Sequence, residues 1–90
     1  MKIVFTENTW GDLTYWIEND MDKVKKVKEL INAIQKNPFQ GIGKPEPLRH
    51  QLKGYWSRRI SQENRLVYKI SGSKRVDQVC TVLLCRFHYK

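Results

Sequence analysis

The stretch Gly43-Lys44-Pro45-Glu46-Pro47-Leu48-Arg49-His50 places one carboxylate between two prolines in a strongly basic segment. Proline holds φ near −65° and restricts the residue before it, so Glu46 is expected in an extended, poorly adjustable piece of chain. A carboxylate that must be aimed gains from such a mounting, whereas a solvated one gains little. Spacing alone leaves both readings open: a catalytic base, or a weak surface pair with Lys44 or Arg49. Glu46 is the only acidic residue between Glu29 and Glu63. The cations around it favour its ionised form.

Those cations are unevenly distributed. The net charge is +8, yet residues 1–40 carry six basic and six acidic residues and are neutral. Residues 41–75 carry nine basic residues (Lys44, Arg49, Lys53, Arg58, Arg59, Arg65, Lys69, Lys74 and Arg75) against Glu46 and Glu63, a net of +7. A neutral half followed by a basic half suggests a face for a polyanion, and nucleic acid is the commonest one in the cytosol. Tyr55, Trp56 and Tyr68 interleave with the arginines, a combination suited to phosphate clamping and base stacking.

Ninety residues, 40 % of them hydrophobic, make one domain spanning residues 1–90. The apolar run at Ile3-Val4-Phe5 is too short for a signal peptide or a membrane span, so a cytoplasmic protein is expected. No cofactor motif is present. Cys80 and Cys85, if they share one strand, point to opposite faces about 16 Å apart, too far for a disulfide. Buried free thiols are expected instead.

These residues must be positioned by a small set of elements. Lys2–Phe5 reads as a strand, and Thr6 can cap a helix with Trp10, Leu13, Trp16 and Ile17 as its apolar stripe. Asn19-Asp20 breaks that helix and caps a second. Its core face is Val24, Val27, Leu30, Ile31 and Ile34, and Asn37-Pro38 ends it. Gln40 to His50 reads as a loop. Strands are expected over Tyr55–Ser61, Arg65–Ile70 and Val76–Phe87, with turns at 62–64 and 71–74. The predicted fold is α+β, with two helices on one face of a twisted antiparallel sheet and the Arg and aromatic residues on the other. If Arg59 and Arg65 act together, the hairpin between them must turn through three residues, Ser61–Glu63, or carry an equivalent bulge. A two-residue turn would send them to different faces.

The strings "KPEPLRHQLKGYWSRRISQENRLVY" and "CRFHY", with "TENTWGDLTYW" and "NPFQGIGKPEPL" before them, resemble the YoeB (Txe/YoeB) branch of the RelE-like bacterial toxins. The resemblance covers essentially the whole chain. It implies a microbial-ribonuclease-like α+β fold and a ribosome-dependent mRNA endonuclease. Such a nuclease cuts the message in the A site among 16S rRNA, needs no metal or other cofactor, and is held in check by a YefM-like antitoxin. A homodimer is among the assemblies it allows.

Carried over by position, the resemblance makes Glu46 the catalytic carboxylate, Arg65 the phosphate-clamping arginine and His88 the terminal imidazole, with Tyr89 beside it. Arg59 matches a further active-site arginine. Lys44, Arg49, Lys53 and Arg58 are then expected to assist RNA or ribosome binding, Arg49 standing where many relatives have lysine. Ser71–Leu83 is several residues longer than usual. A shared strand parity of Arg86 and His88 would aim both at one basic site. The rival from another class is a non-catalytic basic module that binds RNA or the ribosome and blocks translation by occupancy. In that case activity follows total charge rather than Glu46.

Overall fold

Thr6 ends the first strand, β1 (Lys2–Phe5), and starts helix α1 (Glu7–Asn19) by accepting the Thr9 N–H on its hydroxyl. Asp20 closes α1 with its backbone and caps α2 (Met21–Lys36) with its carboxylate, so the two helices meet without a loop. Asn37 ends α2, as the following proline requires. Strands β2 (Glu46–Pro47), β3 (Trp56–Arg59), β4 (Arg65–Ser71) and β5 (Val79–Leu84) complete the chain, with a 3₁₀ turn at His50–Leu52. The computed structural model describes residues 1–87.

The sheet order is β1-β5-β4-β3-β2. The α+β class and the two helices are as expected. The sheet is mixed rather than wholly antiparallel, because β1 runs parallel to β5 along its outer side. The β2 strand lies inside the segment expected to be loop, and its two residues pair with β3 at the opposite edge.

Helix residues Trp16, Val27, Leu30 and Ile34 pack on Leu66, Tyr68, Cys80 and Val82 of the sheet to form the core. Of the α2 stripe, Val27, Leu30 and Ile34 are buried and Val24 and Ile31 are half-buried against the core. Half of the α1 stripe is inside: Trp16 is buried and Leu13 packs against the core, whereas Trp10 and Ile17 are 59 % and 48 % exposed and Thr9 is buried instead. Thr9 faces inward because its hydroxyl donates to the Val82 carbonyl at 2.7 Å, and Trp16 donates from Nε1 to the Cys85 carbonyl at 2.8 Å. Two polar tethers to β5 therefore decide which side of α1 is inside.

Strand β5 carries a bulge. Val67 pairs with Leu84 and Tyr68 with Val82, so Leu83 is the extra residue. Its carbonyl accepts from the Thr6 hydroxyl at 3.0 Å and from Asn8 Nδ2 at 3.2 Å. The bulge shifts the alternation by one residue, so Leu84 faces with Val67 and Cys85 turns inward after it. Both cysteines consequently lie in the same core rather than on opposite faces. Both are free, and burial raises the Cys80 thiol to about 11 and the Cys85 thiol to about 12.

Candidate active site

The face of the sheet turned away from the helices is set by register. Glu46 pairs with Ser57, Ser57 with Val67, and Arg59 with Arg65. Directly paired residues point to the same side, so Glu46, Arg59 and Arg65 share the open face. Glu46 and Arg59 are diagonal neighbours, for which Cα atoms lie about 7–8 Å apart. The hairpin between the arginines closes through Ser61–Glu63, with Ile60 N–H bonded to the Asn64 carbonyl at 3.0 Å. This is the arrangement that joint action of the two guanidinium groups demands.

Arg65 is anchored by one end of its fork. Nη1 donates to the carbonyls of Ser61 at 2.7 Å, Gln62 at 3.1 Å and Asn64 at 3.1 Å. These bonds lock the side chain over its own hairpin, and none of them uses Nε or Nη2. Arg59 is exposed, and its backbone N–H donates to the Gly43 carbonyl at 2.7 Å, tying the glutamate-bearing loop to β3. Lys44, Arg49 and Lys53 are exposed around the same edge. Lys44 has φ +52° and His50 φ +58°, left-handed conformations that a non-glycine residue adopts only where its surroundings impose them.

Arg58 departs from expectation. It lies on the helix side of β3 at 0 % exposure, its guanidinium bonded to Tyr68 and to loop carbonyls, so it cannot reach RNA. Strand alternation is the reason: Ser57 and Arg59 face outward, and the residue between them must face in. Tyr68 and Trp56 share that inward side. Tyr68 is fully buried and Trp56 packs on Phe39, so neither offers a ring to a base from the open face. Tyr55 is half-buried beneath Lys69 Nζ, 5.4 Å from its ring centre.

His88 and Tyr89 lie outside the described residues. The chain just before them is fixed: the Phe87 carbonyl accepts the Arg65 N–H at 2.9 Å, and the Phe87 N–H donates to Asn64 Oδ1 at 2.7 Å. Asn64 also donates to Ser61 Oγ, so one side chain joins the hairpin to the tail. Phe87 has φ +65°, a turn out of the strand direction. Arg86 lies two residues beyond the end of β5, so strand parity does not set its direction. Arg86 instead stacks on Tyr15 of α1, 3.3 Å from its ring centre. Asp12 braces the same segment by accepting the Cys85 N–H at 3.0 Å. Burial raises the Asp12 carboxyl, against the lowering effects of that hydrogen bond and of Arg86. Asn64 and Asp12 carry no signal in the sequence, since only the folded tail gives them partners.

Two helices on one side of a five-stranded mixed sheet is the fold of the solved RelE-like toxins. Residues 5–89 match the family model described as the YoeB-like toxin of bacterial type II toxin–antitoxin systems. Toxin YoeB of Escherichia coli K12 is 47 % identical over 89 residues, covering 99 % of this chain and all of that one. The solved YoeB/ParE toxin from Agrobacterium tumefaciens superposes with a TM-score of 0.95 at 47 % identity, covering 99 % of this chain and 100 % of that one. A heterotetrameric YoeB–YefM complex from Staphylococcus aureus superposes with a TM-score of 0.86 at 39 % identity, covering 99 % and 98 % of the two chains. The chain belongs to the YoeB-like toxin family of bacterial type II toxin–antitoxin systems.

Proposed function

We propose that this toxin is a ribosome-dependent mRNA endonuclease that cuts in the A site without a metal ion, and that a YefM-like antitoxin neutralises it. The reading rests on one observation above all: Glu46, Arg59 and Arg65 share the open sheet face, and the tail leading to His88 is bonded to Arg65. In the proposed reaction Glu46 takes the proton of a ribose 2′-OH, whose oxygen attacks the adjacent phosphorus. The bond to the 5′-oxygen breaks, and His88 protonates that oxygen as it leaves. The products are a 2′,3′-cyclic phosphate and a 5′-hydroxyl end. Arg65 and Arg59 stabilise the charge gathered on the phosphorane oxygens, an always-ionised role that suits guanidinium. Tyr89 is assigned contact with the substrate. Lys44, Arg49 and Lys53 hold the surrounding RNA backbone.

The family supports the partner. Staphylococcus aureus YoeB is solved with YefM, and an acidic antitoxin segment complements a face of this charge. The decisive experiment is cleavage of message in a translation extract. Glu46→Gln, Arg65→Ala and His88→Gln should each lower the rate, by about 10²–10⁴-fold for the acid and the base. Each should leave the fold intact. A triple variant that cut at the wild-type rate would end the mechanism. Inhibition without cleaved message, scaling with total charge and salt, would establish blockade by occupancy instead.

A further inference from the structure

We propose that Arg58 is the positioning residue that sets Glu46 for the reaction. The inference rests on the catalytic reading of Glu46 and extends it to a residue that never meets RNA.

Its guanidinium forms the floor of the 37–45 loop, which carries the chain from α2 to Glu46. Nη2 donates to the carbonyls of Asn37 at 2.7 Å and Gln40 at 3.0 Å, and Nη1 to that of Ile42 at 3.1 Å. Nε donates to Tyr68 Oη at 3.1 Å, and that hydroxyl donates onward to the Pro38 carbonyl at 2.6 Å. The charge is thus met by oriented carbonyl dipoles along one loop. Every nitrogen of the fork is used, a pattern that only a planar guanidinium can supply.

The loop closes on Arg58 because two glycines let it. A Cβ on Gly43 (φ +83°) would stand 2.8 Å from Leu30 Cδ2 and 3.1 Å from Arg58 Cβ. One on Gly41 would stand 3.2 Å from Arg58 Nη1. The strand that follows contributes little rigidity of its own, since β2 is two residues long and lies at the sheet edge. What fixes the Glu46 backbone is therefore the loop before it, and the residue that gathers this loop is Arg58. Strand β3 then serves both sides of the sheet, with the clamp arginine Arg59 outside and the loop anchor inside.

The test is Arg58→Lys in the full-length toxin, alone and with Glu46→Gln. A lysine keeps the charge, but one ammonium cannot span three carbonyls. The expected result is a fall in the single-turnover cleavage rate of about 10–100-fold, because misplacement of a reacting group by 1 Å costs on that order. Apparent RNA affinity should change by less than about threefold. In the Glu46→Gln background the added Arg58→Lys should cost less than about twofold, since the residue acts through the one already lost.

Hydrogen exchange supplies an arm that is independent of nuclease activity: the Arg59 amide, which donates to the Gly43 carbonyl of the loop, should exchange at least about tenfold faster, with Leu66 and Val82 unchanged. Equal losses in both backgrounds, or unchanged exchange at the Arg59 amide, overturn the proposal. Absence of cleavage by the wild-type toxin overturns the catalytic reading instead, and exchange still decides the anchoring. Should Arg58→Lys fail to fold, Tyr68→Phe removes the Nε acceptor and the Pro38 bond. It should give the same pattern more weakly, and unchanged rate and exchange there count against the anchor.

Discussion

Adjacent arginines in "WSRRI" have opposite fates, and nothing in their chemistry distinguishes them. Arg59 pairs with Arg65 on the open face, whereas Arg58 is buried and bonded to three carbonyls of the neighbouring loop. Arg59→Ala is expected to leave stability within about 0.5 kcal/mol of wild type while lowering cleavage. Arg58→Ala is expected to cost about 3 kcal/mol or more, because it opens a cavity and orphans buried carbonyls. Urea denaturation of both variants at one pH measures the contrast. The sequence shows that a basic cluster is present and that Glu46 is mounted stiffly. It cannot show which arginine faces out until the register of β3 is known, and that register depends on the three-residue turn at Ser61–Glu63.

The same limit appears in the helices. The three-four spacing identifies α2 and its buried face correctly. In α1 the same spacing places Trp16 inside correctly but puts Trp10 and Ile17 there as well, where the fold has Thr9. Thr9 and Trp16 are inside because they satisfy carbonyls of β5. Partners 69 and 73 residues away are not legible from local pattern. Trp16→Ala is accordingly expected to cost about 3–5 kcal/mol, and Trp10→Ala less than about 1 kcal/mol in the isolated chain. Thermal denaturation of the two variants tests the assignment. The short β2 strand escapes notice for a related reason: two residues flanked by prolines read as loop, and only the pairing of Glu46 with Ser57 makes them a strand.

At the scale of the whole molecule, the buried thiols make stability depend on alkaline pH. Their ordinary value is 9.0, and the fold raises Cys80 to about 11 and Cys85 to about 12. A group raised on folding gives its full stabilisation below its unfolded value and loses it as pH climbs through the folded one. Stability should therefore decline from pH 9 to about 12, by an amount on the order of a few kcal/mol. A Cys80→Ala, Cys85→Ala variant should show a shallower decline in the same window when unfolding is followed by circular dichroism. The two cysteines were recognisable from sequence as free and buried. Their meeting in one core was not, since it requires the bulge at Leu83.

The parallel pairing of β1 with β5 also governs when this molecule comes into being. The strand synthesised last lies between β1 and β4, so the first strand has no neighbour in the sheet until residues 79–84 arrive. A chain without those residues lacks both that interior rib and, three residues on, the Phe87 latch onto Arg65. Closure of the sheet is therefore a late event: until those residues are in place, β1 has no seat and the face that carries Glu46, Arg59 and Arg65 lacks its brace.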